Sequence, residues 1–218
     1  MGGITIFTRK QSLGEEISNA VSHGVGAILS LIGMVILIIL SIQSGSVSGL
    51  ISSIFYGTAL IILYSVSTIY HSLTHPTAKK VFQILDHCSI FLLISGTYTP
   101  ISVVMMGGVT GYCLLAVNTT CAVVGIVLNA INIKKFKTVS MLLYVIMGWM
   151  CMFTLKSLIE STPPNTLWLL VTGGVAYTAG IIFYKMKKLK YMHFIWHLFV
   201  LLGSVLHYFF VLLGCYIH

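Results

Sequence analysis

Nearly all of this 218-residue chain is taken up by apolar runs about as long as the hydrocarbon core of a bilayer is thick, which leaves it few ways to fold. The runs are roughly Val21 to Ile42, Leu50 to Tyr70, Cys88 to Met106, Tyr112 to Ile133, Val139 to Leu155, Leu167 to Tyr184, and His193 to Tyr216. With 57% hydrophobic and only 7% charged residues, there is too little polar surface to cover a soluble globule. The predicted fold is an all-α integral membrane protein of seven transmembrane helices. Residues 1–20 form a cytoplasmic N-terminal segment, and 21–218 form the seven-helix domain. The breaks between runs are short and made of turn formers: Ser44-Gly45-Ser46, Thr74 to Pro76, Gly107-Gly108 and Pro163-Pro164-Asn165. Pro100 lies inside the third run and is expected to kink it.

The first run is longer than the apolar core of a signal peptide and has no small-x-small cleavage pattern after it, so it is expected to be retained. Cys88, Cys113, Cys121, Cys151 and Cys215 sit within or beside apolar runs without paired spacing, which points to packing rather than disulfides or thiolate metal sites.

Charge gives the orientation. Arg9 and Lys10 precede the first span, Lys79 and Lys80 follow the second, Lys134, Lys135 and Lys137 follow the fourth, and Lys185, Lys187, Lys188 and Lys190 follow the sixth. The intervening connections carry only Lys156 and Glu160. The positive-inside rule therefore puts the N-terminus in the cytoplasm and the C-terminus outside. The same distribution explains the formal charge of +8 by basic loops facing anionic lipid, with no need for a nucleic-acid partner.

On this topology the ionisable residues gather at one depth. His71 closes the second span, Asp86 opens the third, His193 and His197 open the seventh, and His23 opens the first. Ionisable groups in a membrane are costly and tend to pair or to mark function, so convergence from separate segments predicts one cytoplasmic-side cluster. His193 and His197 are four apart, which puts both imidazoles on one helix face. That spacing suits a shared metal ion, although two histidines flanking Trp196 also suit an interfacial helix start. Adding His71 gives three imidazole nitrogens, a set used with water as fourth ligand for catalytic zinc. Zinc so held lowers the pKa of its water to about 7 and polarises a carbonyl.

Asp86 could act as general base or accept an imidazole N–H. Ser67, one turn before His71, could hold the zinc water or a carbonyl oxygen; bonding back to its own helix is the plainer alternative. Glu16, Asn19 and His23, spaced three and four apart, form a polar stripe expected to support the ligands; an acidic helix start accounts equally well for Glu16. His75, His87 and His218 are set aside. His207 lies about 21 Å along the axis from His193, too far for the same ion, and is expected to bond across helices or line a cavity.

Glu16-x-x-Asn19-x-x-x-His23, then Ser67-Thr-Ile-Tyr-His71 with Leu85-Asp86 and Gly96-Thr-Tyr-Thr-Pro100, then His193-Phe-Ile-Trp-His197, resemble the three signature regions of the haemolysin III and progestin/adiponectin receptor (PAQR) family. Short termini and spacing are similar to its bacterial haemolysin III branch. The resemblance runs from about Glu15 to His207, with no departure at the proposed ligands. It implies a seven-helix bundle with a cytoplasmic N-terminus, and zinc near the cytoplasmic leaflet on residues matching His71, His193 and His197, with Ser67 and Asp86 as water-holding partners. The family's eukaryotic receptors are similar to alkaline ceramidases and associated with hydrolysis of lipid amides, whereas bacterial members carry a haemolysin name and are linked to membrane-lipid homeostasis. The extended N-terminal domain of the hormone receptors is lacking, so recognition of a protein hormone is not implied.

Three functions are expected to compete. The first is a zinc-dependent hydrolase cleaving an amide or ester in a lipid of the cytoplasmic leaflet of a bacterial cell membrane. The second is a non-enzymatic sensor of membrane state with a structural zinc. The third is a haemolysin-type permeabilising protein; polar residues clustered at one end, rather than lining a path, disfavour it.

Overall fold

The computed structural model describes residues 11–217. Arg9 and Lys10, read above as the basic residues ahead of the first span, and His218 lie outside the described residues. The described chain is helical, without a strand: α1 (Leu13–Gln43), α2 (Val47–Ser72), α3 (Pro76–Pro100), α4 (Gly108–Gly148), the short α5 (Leu155–Glu160), α6 (Leu167–Lys185) and α7 (Met192–Tyr216). Six helices among the described residues are long and apolar enough to cross a membrane.

Local chemistry sets the helix ends. α1 begins well ahead of the apolar run because Ser12 and Glu15 form a reciprocal capping box: the Glu15 carboxylate accepts from Ser12 N–H and the Ser12 hydroxyl accepts from Glu15 N–H. That extension carries Glu16 and Asn19 on a regular helix. Ser46 caps α2 by accepting from Gly49 N–H. His75 caps α3 through its ring nitrogen, with Pro76 at the first helical position, where a missing N–H costs nothing. At Pro100 the helix does bend its hydrogen-bond pattern, passing into a π-helical turn over Ile101–Met106.

The longest apolar helix, Gly108–Glu160, is not one straight rod. Asn132 has extended backbone (φ −162°, ψ 90°), and its side-chain oxygen accepts from Lys135 N–H, as an N-cap restarting a helix does. On either side the chain doubles back. Asn118 donates to the Met147 carbonyl at 3.3 Å, and Ser140 donates to Asn129 at 2.6 Å. In a straight helix, residues as far apart as Asn118 and Met147 would be separated by roughly 40 Å.

α1 packs on α2 and α7, α2 on α3, α3 on α4, and α6 on α7. The core is built of Tyr56, Leu60, Tyr64, Phe91, Met147 and Phe210, and small residues let the helices approach, as is usual in membrane bundles. The outward faces are apolar: Ile28, Ile32 and Ile39 on α1, and Val123, Val127 and Ile131 on α4, are exposed. Such a surface suits lipid rather than water.

Gly111 shows how tight one joint is. A Cβ there would run into the backbone carbonyl of Ser102 in the π-helical turn, whereas a Cβ on Gly148 meets nothing. Gly111→Ala is therefore expected to lower stability by about 1–3 kcal/mol in thermal or denaturant unfolding of the detergent-solubilised protein, with Gly148→Ala close to wild type.

Candidate metal centre

Three histidines from two helices meet at one end of the bundle. His71 comes from the last turn of α2, and His193 and His197 from the first turns of α7. One ring nitrogen from each lies within 4.8 Å of the others. The ring centroids of His71 are 5.1 Å from His193 and 5.0 Å from His197, and His193 and His197 are 4.8 Å apart. The side chains are packed rather than splayed into solvent, His71 and His197 being fully buried.

The hydrogen bonds distinguish the two nitrogens of each ring. His71 Nδ1 lies 2.7 Å from Glu16 Oε2, so Nδ1–H donates to the carboxylate. His197 Nδ1 lies 3.3 Å from the Asn19 carbonyl and 3.3 Å from the Ser22 hydroxyl, so it too carries the proton. Both rings are thereby held as the tautomer whose Nε2 bears a lone pair. The Nε2 atoms of His71, His193 and His197 are all buried without a hydrogen-bond partner.

Buried polar atoms are rarely left unpartnered, and each costs about 1–3 kcal/mol. Three such unpartnered nitrogens, two of them fixed as lone pairs, fit a cation, and an all-imidazole set suits zinc. Bonds of about 2.0–2.1 Å would draw the three nitrogens closer together than they stand.

α1 supplies the supporting layer. Glu16 accepts from His71 through one oxygen and from Lys79 Nζ, at 2.8 Å, through the other, so the carboxylate is fixed from both sides. Asn19 gives its carbonyl to His197, and its side-chain amide sits 3.4 Å from His71 Nδ1. His23 stacks on His197 with centroids 3.6 Å apart and planes 11° from parallel. Glu15 holds the N-terminus of α7 by accepting from Tyr191 N–H at 2.8 Å. Tyr191 adopts a left-handed conformation (φ 60°) immediately before the helix that carries His193.

Ser67 and Asp86 were the other expected residues. Ser67 is buried on α2, one turn before His71, and its hydroxyl makes no hydrogen bond, so the plainer expectation of bonding back to its own helix is not what is found. Asp86 is buried on α3; its carboxylate stands 3.6 Å from His87 Nδ1 and faces a separate apolar cavity of about 140 Å³. His23 lines the same cavity and so joins it to the histidine cluster. A second, polar cavity of about 230 Å³ lies on the other side, bordered by Glu16, Tyr70, Tyr184, Lys187 and His193.

His207 bonds across helices to the Leu170 carbonyl at 3.1 Å and also lines the apolar cavity, so both expectations for it hold. His87, set aside from the sequence, is part of the cavity wall and reaches the Tyr184 hydroxyl at 3.4 Å. The sequence reading passed over Ser22 and Lys79. Ser22 was within reach of the three-residue spacing from Asn19, whereas Lys79 looked like one more basic loop residue.

A multi-pass helical membrane protein with a buried three-histidine cluster at one end of its bundle is the class these features define. Residues 11–208 match the family described as Haemolysin-III related. The chain is 43% identical over 202 residues to Hemolysin-3 of Bacillus cereus, covering 93% of this chain and 92% of that one. It is 40% identical over 201 residues to the Hemolysin-3 homolog of Bacillus subtilis (strain 168), covering 92% and 94%. Human Monocyte to macrophage differentiation factor is 27% identical over 163 residues, covering 71% and 66%. The chain belongs to the haemolysin III family and is a multi-pass protein of the bacterial cell membrane.

If Glu16 orients His71 as described, Glu16→Gln is expected to weaken zinc binding about 10- to 100-fold in competition with a chelating indicator, the loss usual for a group that supports a metal ligand.

Proposed function

We propose that this protein is a zinc-dependent hydrolase of a lipid amide or ester, acting from the cytoplasmic leaflet and serving membrane-lipid homeostasis. The observation that carries the proposal is the convergence of three buried, unpartnered Nε2 atoms from His71, His193 and His197 beside an apolar cavity. Zinc bound there supplies Lewis acidity, polarising a carbonyl and acidifying water.

In this reading the protein's own residues do the rest. The apolar cavity takes a hydrocarbon chain between α3, α4, α6 and α7. Glu16 and Asn19 keep His71 and His197 in the ligating tautomer. Ser67, whose hydroxyl has no other partner, donates to the substrate carbonyl oxygen. Asp86 takes a proton from the attacking water and returns it to the leaving nitrogen or oxygen, so that cleavage of the C–N or C–O bond yields a carboxylic acid and an amine or alcohol. His87, 3.6 Å from Asp86, steadies the carboxylate while it is charged.

The proposed topology is seven crossings with the N-terminus in the cytoplasm and the C-terminus outside. Support comes from Asn132, where the long helix doubles back and counts as two crossings, with Lys134, Lys135 and Lys137 at the reversal. The basic connections, after α2, at Asn132 and after α6, then share the cytoplasmic side with the histidine cluster.

The sensor reading is favoured by one observation: the histidine cluster ties α2 to α7, with α1 alongside, which is also what a structural zinc would do. Metal analysis and turnover separate the two. His193→Ala is expected to lose both zinc and lipid hydrolysis, and Asp86→Asn to keep about one zinc per chain while turnover falls by about 10² or more. Full activity in a zinc-free protein sinks the hydrolase. Zinc whose removal lowers only stability, with no lipid product from a broad lipid panel, transfers the case to the sensor.

A further inference from the structure

We propose that Lys137 and Lys187 form a binding site for the phosphate headgroup of a membrane lipid whose hydrocarbon chain occupies the apolar cavity. Lys137 sits just beyond the reversal at Asn132, and Lys187 in the connection between α6 and α7, so their meeting is a product of the fold. Both ammonium groups lie over the ring of Tyr184, at 5.3 Å and 5.1 Å from its centroid.

Neither lysine takes part in any ion pair among the described residues. Lys79, on the same side of the bundle, shows the contrast: its charge is answered by Glu16 at 2.8 Å. Basic residues here also serve topology, but that role asks nothing of two of them sharing one ring. Asp86 and Glu16 border the same cavities but neither is in ion-pair contact with the two lysines, which repel one another, and a group with several acceptor oxygens relieves both at once. In keeping with that proximity, burial and Lys137 push Lys187 down to about 8.

The lipid follows from where the pair stands. Lys137 lines the apolar cavity, Lys187 lines the polar one, and Tyr184 lines both. An oxyanion bridging the lysines therefore has a slot walled by Ile90, Leu93, Ile94 and Val200 within reach, which free phosphate has no use for. Basic pockets between helices on the cytoplasmic side are a recurrent way of holding phosphate headgroups. The proposal deepens the lipid-hydrolase reading by naming the headgroup class, and it rests on that reading only for the side of the membrane.

The test is equilibrium binding of dialkyl-ether phosphatidic acid to the full chain in non-ionic detergent, beside a dialkyl-ether glycerol without phosphate. Dialkyl-ether lipids have no carboxylic ester or amide to cleave, so failure of the hydrolase leaves this measurement intact, and failure here leaves the hydrolase intact. Wild type is expected to prefer the phosphate-bearing lipid by about tenfold or more. Lys137→Gln/Lys187→Gln should lose that preference, Lys137→Arg/Lys187→Arg should restore most of it, and Lys134→Gln/Lys135→Gln should keep it. If the double glutamine variant does not fold, Lys187→Gln alone should lose at least half of the preference on a logarithmic scale. A preference that survives these glutamine substitutions overturns the proposal, as does an equal loss in the Lys134/Lys135 variant. Inorganic phosphate competing at the same concentration as the lipid overturns it in favour of free phosphate.

Discussion

Three imidazole Nε2 atoms held out of water, without a hydrogen-bond partner, are the constraint around which one end of this bundle is arranged. Left unanswered they would cost several kcal/mol together, a large part of the net stability of a protein this size. The surrounding structure nevertheless favours the arrangement. Glu16 and the Asn19 carbonyl hold the opposite nitrogens of His71 and His197 as donors, and the capping box at Ser12 and Glu15 extends α1 far enough to deliver both residues. A helix that began at the apolar run itself would deliver neither.

The cluster also ties α7 to α1 and α2, from which it is far in sequence. Glu15 pins the start of α7 through Tyr191 N–H, Lys79 closes on Glu16 from the first turn of α3, and His23 stacks on His197. His23 and Asp86 share the wall of the apolar cavity, so through the His23 ring stacked on His197 the histidine centre borders a space suited to hydrocarbon. Lys137 and Lys187 stand over the ring of Tyr184, which borders the same space.

Much of this was legible in the sequence because membrane helices announce themselves by length and apolarity, and because i, i+4 spacing survives folding unchanged. His193 and His197 share a face as their spacing requires, and Pro100 disturbs its helix as a missing N–H must. Less legible was anything set by the path of the chain between helices. Asp86 was expected beside the histidines; it lines the apolar cavity together with His23, and its contact with His87 was not legible from spacing alone. The stripe Glu16, Asn19 and His23 was expected on the first helix, but the capping box at Ser12 and Glu15 that starts it ahead of the apolar run was not read. The reversal at Asn132 falls at the end of the fourth apolar run, next to the break the sequence had marked, but the side chain that caps the following helix, and the pairing of Asn129 with Ser140, depend on tertiary contact. Lys79 and Lys187 looked alike as basic loop residues, and only folding assigns one to a carboxylate and the other to a second lysine.

The central claim, that His71, His193 and His197 hold one metal ion through Nε2, is met most directly by zinc K-edge X-ray absorption on the detergent-purified protein. The account predicts about one zinc per chain, with roughly three imidazole nitrogens at about 2.0–2.1 Å and one oxygen. A folded wild type without metal, or a first shell containing sulfur at about 2.3 Å, would contradict it.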